Sequence, residues 1–382
     1  MKEPGSIVSK RGGWWVVLST KDPKTGRRLR PWHGPYETEA DARIARAKLV
    51  VEQAENRYAF DPERHTVAQY LERWLRSVRG ELRPATLAQY ETQVRAYLVP
   101  WIGRERLTRL DVAAVRGLYA TLTEKGGRGG RPLAPKTVAN AHRVLRHALA
   151  DALDEGLIAR NPAALARPPK ARRREMKTWS PEQLRAFLEA SREQASRLHG
   201  AFVLAATTGM RRGEVLGLRW QDVDLEAGRL AVVQSLVMVG TRPELSTPKT
   251  DRSVRSIPLA PATVTALHEH RKRQAAERLA AGPAWHDHGL VFAREDGSPL
   301  RPDHFAAVFG RIAARAGLPR IRFHDLRHSF ATSALRAGIH PKVVSELLGH
   351  SSVTITLDTY SHVAPSIAAE ATTAVAGLIF GS

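Results

Sequence analysis

The chain has 382 residues, enough for two or three compact domains, and carries 59 Lys and Arg against 38 Asp and Glu, a formal net charge of +21. A surface of that sign gathers polyanions, so nucleic acid is the first expected partner, bound less tightly as salt rises because each phosphate contact releases a counterion. Cysteine is absent, which excludes disulfide frameworks, Cys-x-x-Cys zinc sites and thiol nucleophiles. No run of about 18 apolar residues occurs, and the opening MKEPGSIVSKRGGWW lacks the apolar core of a signal peptide. A cytoplasmic protein with no membrane partner is expected. Charge alone fits ribosomal, architectural and regulatory proteins equally well.

Residues 1–60 read as a small three-stranded sheet followed by a helix. Trp14 to Thr20 is aromatic and β-branched, Asp22-Pro23-Lys24-Thr25-Gly26 spells a turn, and Arg27 to Trp32 can return as a partner strand. Thr38 is the expected N-cap of the helix, with Asp41 three residues on and Ile44, Ala45, Leu49 and Val50 as its apolar side. Basic residues bracket the strands. They fit either a solvated hairpin or a DNA-facing one, in which Arg11, Lys24, Arg27 and Arg28 are the candidate contacts.

Residues 61–166 form a helical block. Val67, Tyr70, Leu71, Trp74, Leu75 and Val78 follow the i, i+3, i+4, i+7, i+8 rhythm of a buried helix face. A second helix opens at Pro84 and carries Leu87, Tyr90, Val94, Tyr97 and Leu98; a third carries Val112, Val115, Tyr119 and Leu122; a fourth runs from Val138 to Leu153 and stops near Gly156. Four helices in about a hundred residues predict a bundle. The stretch 167–177, with Arg172, Arg173 and Arg174, is stiff and basic: an interdomain tether, a strap across a phosphate backbone, or both. Ser180-Pro181-Glu182-Gln183 then starts a helix. Residues 178–382 read as a mixed, mainly helical domain with β-like runs at Leu230–Val239 and Val254–Leu259. The expected fold class is therefore multidomain α+β: a sheet-plus-helix amino-terminal domain, an all-α bundle, and a mainly α domain with a small antiparallel sheet.

Five features of this last domain bear on chemistry. Thr208-Gly209-Met210-Arg211-Arg212-Gly213-Glu214 is a Gly turn entering a helix, where an arginine either aims its fork at an anion or is solvated. Lys249 lies in the loop between the two β-like runs, as a solvent-facing lysine or as a cation delivered into a cleft by a hairpin. In Phe323-His324-Asp325-Leu326-Arg327-His328-Ser329-Phe330, helical spacing puts His324 and Arg327 on one face while Leu326 and Phe330 anchor the other. The pair is either a proton-transfer group beside a fixed cation or a partly buried helix end. Leu347-Leu348-Gly349-His350 ends a helix on Gly and presents a His, which core packing would also explain. Tyr360 follows ten residues later, as a packing residue or a nucleophile.

As an ordered set, Arg211, Lys249, His324-x-x-Arg327, Leu348-Gly349-His350 and Tyr360 resemble the active site of the tyrosine recombinases, the phage-integrase family. The resemblance extends over essentially the whole chain. It implies an arm-site DNA-binding domain at 1–60, a core-site DNA-binding domain at 61–166, a basic linker at 167–177 and the catalytic domain at 178–382. It also implies a homo-tetramer on double-stranded DNA, working with directionality or host architectural factors.

The residues suit that chemistry on physical grounds. A phosphodiester repels oxygen nucleophiles until cations surround its non-bridging oxygens, and Arg211 and Arg327 offer two planar forks for the trigonal-bipyramidal transition state. A tyrosine hydroxyl, with an unperturbed pKa of about 10, needs a proton acceptor, and His324 is the expected base. By resemblance Lys249 protonates the departing 5′ oxygen, His350 bonds the phosphate or braces the site, and Glu214 orients its neighbours. A 3′-phosphotyrosine conserves the bond energy that hydrolysis would discard, so strands rejoin without ATP. No metal or other cofactor is expected, since His268 and His270 diverge on a helix and His286 and His288 sit in a loop. The expected function is a site-specific recombinase, the integrase of a mobile element or prophage, catalysing integration and excision. The alternatives are a chromosome-dimer-resolving recombinase, which in the family generally lacks the amino-terminal domain, and a catalytically inactive DNA-binding regulator of recombinase descent. A type IB topoisomerase shares the tyrosine but not the domain layout.

Overall fold

The computed structural model describes residues 6–10, 12–18, 20–21, 28–29, 32–57, 63–170, 176–194, 196–247, 254–360 and 375–380, with the backbone alone for 20–21, 28–29, 51–57 and 358. The chain divides into two units, Met1–Arg173 and Arg174–Ser382. Among the described residues no helix is long and apolar enough to cross a membrane.

In the first unit, strands β1 (Ser6–Lys10), β2 (Gly13–Val17) and β5 (Trp32–Tyr36) form an antiparallel sheet in the order β1-β2-β5. The short β3 (Thr20–Lys21) and β4 (Arg28–Leu29) pair separately. Helix α1 (Glu39–Arg57) is capped by Thr38, whose hydroxyl accepts from the Asp41 amide at 3.1 Å. Val16, Leu18 and Ala42 make the buried core, with Ala45, Leu49 and Val50 packed on it. Ile44, expected on that side, is instead exposed: Ala42, Ala45 and Leu49 already follow the helical repeat, which turns Ile44 about 100° away from Ala45. Arg11, Lys24, Arg27 and Arg172 to Arg174 lie outside the described residues, as does the side chain of Arg28.

The helical part comprises α2 (Val67–Ser77), α3 (Pro84–Thr92), α4 (Val99–Ile102), α5 (Val112–Lys125), α6 (Pro135–Asp154) and α7 (Pro162–Leu165). Thr66 and Gln69 form a reciprocal cap on α2, and the expected stripe Val67, Tyr70, Leu71, Trp74 and Leu75 is buried. The Tyr70 hydroxyl donates to Ala148 O at 2.6 Å, and Trp74 Nε1 donates to Asp151 Oδ2 at 2.6 Å, so α2 is keyed to α6 by polar as well as apolar contacts. The single helix expected from Pro84 to Leu98 is instead interrupted by a π-helical stretch, Gln93–Leu98, which hands over to α4. Pro100 gives the reason: it has no N–H to return to the preceding turn, so the ladder changes register ahead of it.

The second unit holds α8 (Pro181–Glu193), α9 (His199–Thr208), α10 (Arg212–Leu216), β6 (Val223–Asp224), β7 (Arg229–Val232), β8 (Ser235–Val239), β9 (Arg242–Ser246) and β10 (Arg255–Pro258). Then follow α11 (Pro261–Ala281), α12 (Pro302–Arg315), α13 (Asp325–Arg336), α14 (Pro341–Leu348) and α15 (Val353–Tyr360), with a short helix over 375–380. The run Leu230–Val239 is not one strand. β7 joins the antiparallel sheet β10-β7-β6 while β8 pairs with β9, and between them Gln234 donates to Gly217 O at 2.6 Å, drawing the chain off the first sheet. β9 was not expected, because Pro243 and two charged residues disguise it; such a strand is tolerated as one half of a two-stranded ribbon.

Helix α9 is apolar on every side and almost wholly buried, as such a helix must be. Around it Trp179, Phe187, Phe202, Phe305, Phe309 and Phe323 form a continuous aromatic core, with Phe309 ring centroids 4.9 Å from Phe187 and 5.4 Å from Trp179. Phe309→Ala is expected to cost about 3–5 kcal/mol, read as a lower denaturant midpoint at unchanged slope for the transition that reports this unit.

Candidate active site

The buried helix α9 ends at Gly209, whose φ of +64° is left-handed and where a Cβ would lie 2.6 Å from Phe330 and 2.7 Å from Leu348. Only glycine meets both demands. The turn places Arg211 at the head of α10, where its backbone N–H donates to Glu214 Oε2 at 2.9 Å and its Nη1 donates to Glu214 Oε1 at 2.8 Å. Arg211 Nη2 donates to Gly349 O at 3.0 Å.

Two further arginines reach the same place. Arg255, the first residue of β10, donates through Nε to Leu347 O at 2.8 Å and through Nη2 to Glu214 Oε2 at 2.8 Å. Arg327, on α13, donates through Nη2 to Leu348 O at 2.7 Å and through Nη1 to Gly209 O at 2.9 Å. Three guanidinium groups thus land on the successive carbonyls of Leu347, Leu348 and Gly349, the acceptors that the end of α14 leaves without intrahelical partners and where its dipole is negative. Gly349 makes this possible. Its φ is +64°, and a Cβ there would sit 2.8 Å from Arg255 Nη1.

The charges divide unevenly. Burial pushes the Glu214 carboxyl up, but the hydrogen bonds and charge of Arg255, followed by Arg211, outweigh it and hold the group below the usual carboxylate range. Arg327 is buried at 4% exposure with carbonyls as its hydrogen-bond acceptors and, among the described residues, no carboxylate in ion-pair contact. Burial first, then repulsion from Arg211, lowers its pKa to about 9. A cation so placed is electrostatically short of an anion.

The remaining groups border these arginines. His350, directly after the α14 cap, meets Thr356 Oγ1 through Nδ1 at 2.8 Å; burial and then the charges of Arg327 and Arg211 lower its pKa to about 4. His324 occupies the N-cap position of α13, without a side-chain cap hydrogen bond, and is exposed. Desolvation by the protein beneath it, then His328 and Arg327, hold its imidazole below the usual range. Tyr360 closes α15 and is packed among Ala331, Ala334, Leu335, Val344 and Leu348. Burial raises its phenol to about 12 against the opposing charge of Arg327. A groove of roughly 1090 Å³ runs beside the site, lined by Arg211, Arg212, Arg320, Arg322 and His324 together with apolar residues of β8 and α12.

Of the residues singled out in the sequence, Arg211, Glu214, His324, Arg327, His350 and Tyr360 are brought into one neighbourhood, while Lys249 falls between β9 and β10 in 248–253, outside the described residues. Two participants were missed. Arg255 sits 41 residues from Glu214, and nothing local in the sequence marks it. His328 is the imidazole in contact with the Tyr360 hydroxyl, at 2.8 Å through Nδ1, the place assigned from sequence to His324. Its only sequence signal is its position directly after Arg327 and four residues after His324. Arg327 is buried, whereas His324, at the N-cap of α13, is exposed. His270 is structural, buried with Nε2 against Val291 O at 2.6 Å.

The family model described as the phage integrase family matches residues 177–366. A XerC-like tyrosine recombinase of Caldanaerobacter subterraneus is 30% identical over 95% of this chain and 96% of its own length. The ICEBs1 integrase of Bacillus subtilis is 25% identical over 90% of this chain and 91% of that protein. Among solved structures, the Tn1549 transposon integrase in complex with a circular intermediate DNA superposes with a TM-score of 0.66 at 25% identity, covering 78% of this chain and 95% of that one. A lambda integrase tetramer bound to a Holliday junction shares the fold, with a TM-score of 0.57 at 19% identity over 93% of this chain and 98% of that one.

Arg255→Ala should destabilise the second unit by about 3–5 kcal/mol, because Glu214 is then buried with half of its compensation. The pH dependence follows. A carboxyl depressed in the folded state contributes stability above its unfolded pKa and loses it as pH falls through the folded value, so acid unfolding of Arg255→Ala should begin at higher pH than in the parent.

Proposed function

The chain belongs to the phage integrase family and is a site-specific DNA recombinase that exchanges DNA strands, and on that premise we propose that Tyr360 is its nucleophile, cutting DNA through a 3′-phosphotyrosine. The observation that carries this reading is Arg327, a buried guanidinium whose hydrogen bonds go to carbonyls, beside Arg211 and the tyrosine. A scissile phosphate would supply the missing negative charge. Arg327 and Arg211 would hold its non-bridging oxygens and gain as charge builds in the transition state. His350, fixed at Nδ1 by Thr356, leaves Nε2 for a phosphate oxygen, and His324 offers a second neutral imidazole.

Attack by the tyrosine oxygen forms the bond to phosphorus while the bond to the 5′ oxygen breaks. Lys249 protonates the departing oxygen in this reading. A 5′-hydroxyl from another strand then reverses the step and releases Tyr360, with no net change in phosphodiester number. Glu214 orients Arg211 and Arg255 and does not meet the substrate.

The reading extends to layout. Residues 61–166 bind the core site, 1–60 the arm sites through Arg11, Lys24, Arg27 and Arg28, and the 167–177 stretch follows the backbone between domains through Arg172 to Arg174. Exchange of two duplexes takes four cleavages, so four copies assemble on DNA. Exposed Val375, Leu378, Ile379 and Phe380 fit a tail that packs on a neighbouring copy. The kinship with the Tn1549 transposon integrase and the ICEBs1 integrase favours integration and excision of a mobile element in the cytoplasm, rather than resolution of chromosome dimers.

Tyr360→Phe should bind DNA as the parent does and yield no covalent adduct on a nicked duplex drawn from the genomic junctions flanking this reading frame. Adduct formation by that variant would refute the assignment. Arg327→Ala should cost about 3 kcal/mol or more of transition-state stabilisation, read as the single-turnover cleavage rate. Lys249→Ala should be slow on ordinary DNA and recover when the leaving oxygen is replaced by sulfur, which needs no proton; without recovery, the acid lies elsewhere.

A further inference from the structure

We propose that His328 is the catalytic group that takes the proton from Tyr360 as its oxygen attacks, and returns it on religation; this rests on Tyr360 being the nucleophile. The geometry is direct. His328 Nδ1 stands 2.8 Å from the Tyr360 hydroxyl, within the reach a general base requires. The ring centroids are 5.8 Å apart, and the His324 ring lies 5.4 Å from His328. His328 thus lies beside both His324 and the nucleophile, with its Nδ1 against the Tyr360 hydroxyl.

Helix geometry explains how one short segment serves two tasks. Arg327 and His328 are consecutive on α13, so their side chains leave the helix about 100° apart. Arg327 turns to Gly209 O and Leu348 O, and His328 to Tyr360. The arginine stabilises charge on the phosphate while the histidine handles the nucleophile's proton.

The charges around His328 keep it fit to accept. Burial lowers its pKa first; Asp325 acts against this, while Arg327 and Arg322 add to the lowering. His324, His350 and Tyr360 are the other titratable groups facing it. The imidazole is thus neutral near pH 7, and in the tautomer with its proton on Nε2, Nδ1 is an open acceptor. Tyr360 needs one, because burial raises its phenol to about 12 and the charge of Arg327 only partly offsets this. The step balances: the O–H bond of Tyr360 breaks as the proton moves to Nδ1, the oxygen pair bonds phosphorus, and the pair of the phosphorus–O5′ bond leaves on the 5′ oxygen, which a separate acid protonates. Religation runs the same transfers backwards.

The test uses the full chain and the nicked junction duplex under single-turnover conditions. His328→Asn keeps a hydrogen-bonding atom near Nδ1 but cannot take a proton. It should bind DNA normally and cleave about 100-fold more slowly or worse at pH 7. The parent rate should fall on acidification as His328 becomes protonated, whereas the His328→Asn rate should climb steadily toward the tyrosine pKa. A sulfur leaving atom should not rescue it, since the defect is on the nucleophile's side. Difluorotyrosine at position 360, a more acidic phenol, should restore much of the loss and guards against a merely structural defect. The proposal is overturned if His328→Asn cleaves within about threefold of the parent, if its pH profile is unchanged, or if sulfur restores it. It is equally overturned if His324→Gln and not His328→Asn shows the pH-dependent defect. An adduct formed by Tyr360→Phe would instead remove the underlying nucleophile assignment.

Discussion

The second unit depends on how one helix ends. Helix α14 finishes with three carbonyls that cannot find partners within the helix, and each receives a guanidinium from a different part of the chain: Arg255 on Leu347, Arg327 on Leu348 and Arg211 on Gly349. β10, α13 and the head of α10 are thereby tied to a single point. Backbone oxygens carry only partial charge, so the arginines are fixed in direction without being neutralised. Glu214 balances part of the excess by bridging Arg211 and Arg255. What is left over centres on Arg327, and in the proposed mechanism an anionic phosphate meets that surplus of positive charge.

The same environment sorts the titratable groups by sign. Arginines, which stay charged in almost any surroundings, hold the cationic positions. His324, His328 and His350 are all pushed below their ordinary range by burial and by those arginines. In the proposed mechanism these neutral imidazoles handle protons while the neighbouring permanent cations stabilise charge.

Legibility in the sequence followed distance along the chain. Where both partners are close, as in Ser180 with Gln183 or Arg211 with Glu214, the spacing is visible and the structure keeps it. Helix faces such as Val67 to Leu75 are equally plain, because burial imposes a period. Arg255 was invisible because its partners lie far away and its own strand, Arg-Ser-Ile-Pro, reads as an ordinary edge segment. His328 was overlooked for the opposite reason: it adjoins Arg327, and the three-residue spacing from His324 to Arg327 drew attention to that pair instead. The π-helical stretch before Pro100 and the separation of β7 from β8 were hidden because each turns on the hydrogen bonding at one residue, Pro100 and Gln234, which a hydrophobic period does not register.

The shared anchorage at the end of α14 has an evolutionary corollary. Arg211, Glu214, Arg255, Arg327 and Gly349 support one another through a single cluster, so the replacement of any one relaxes selection on the rest. Copies of this gene that have stopped exchanging strands should therefore lose these five positions together.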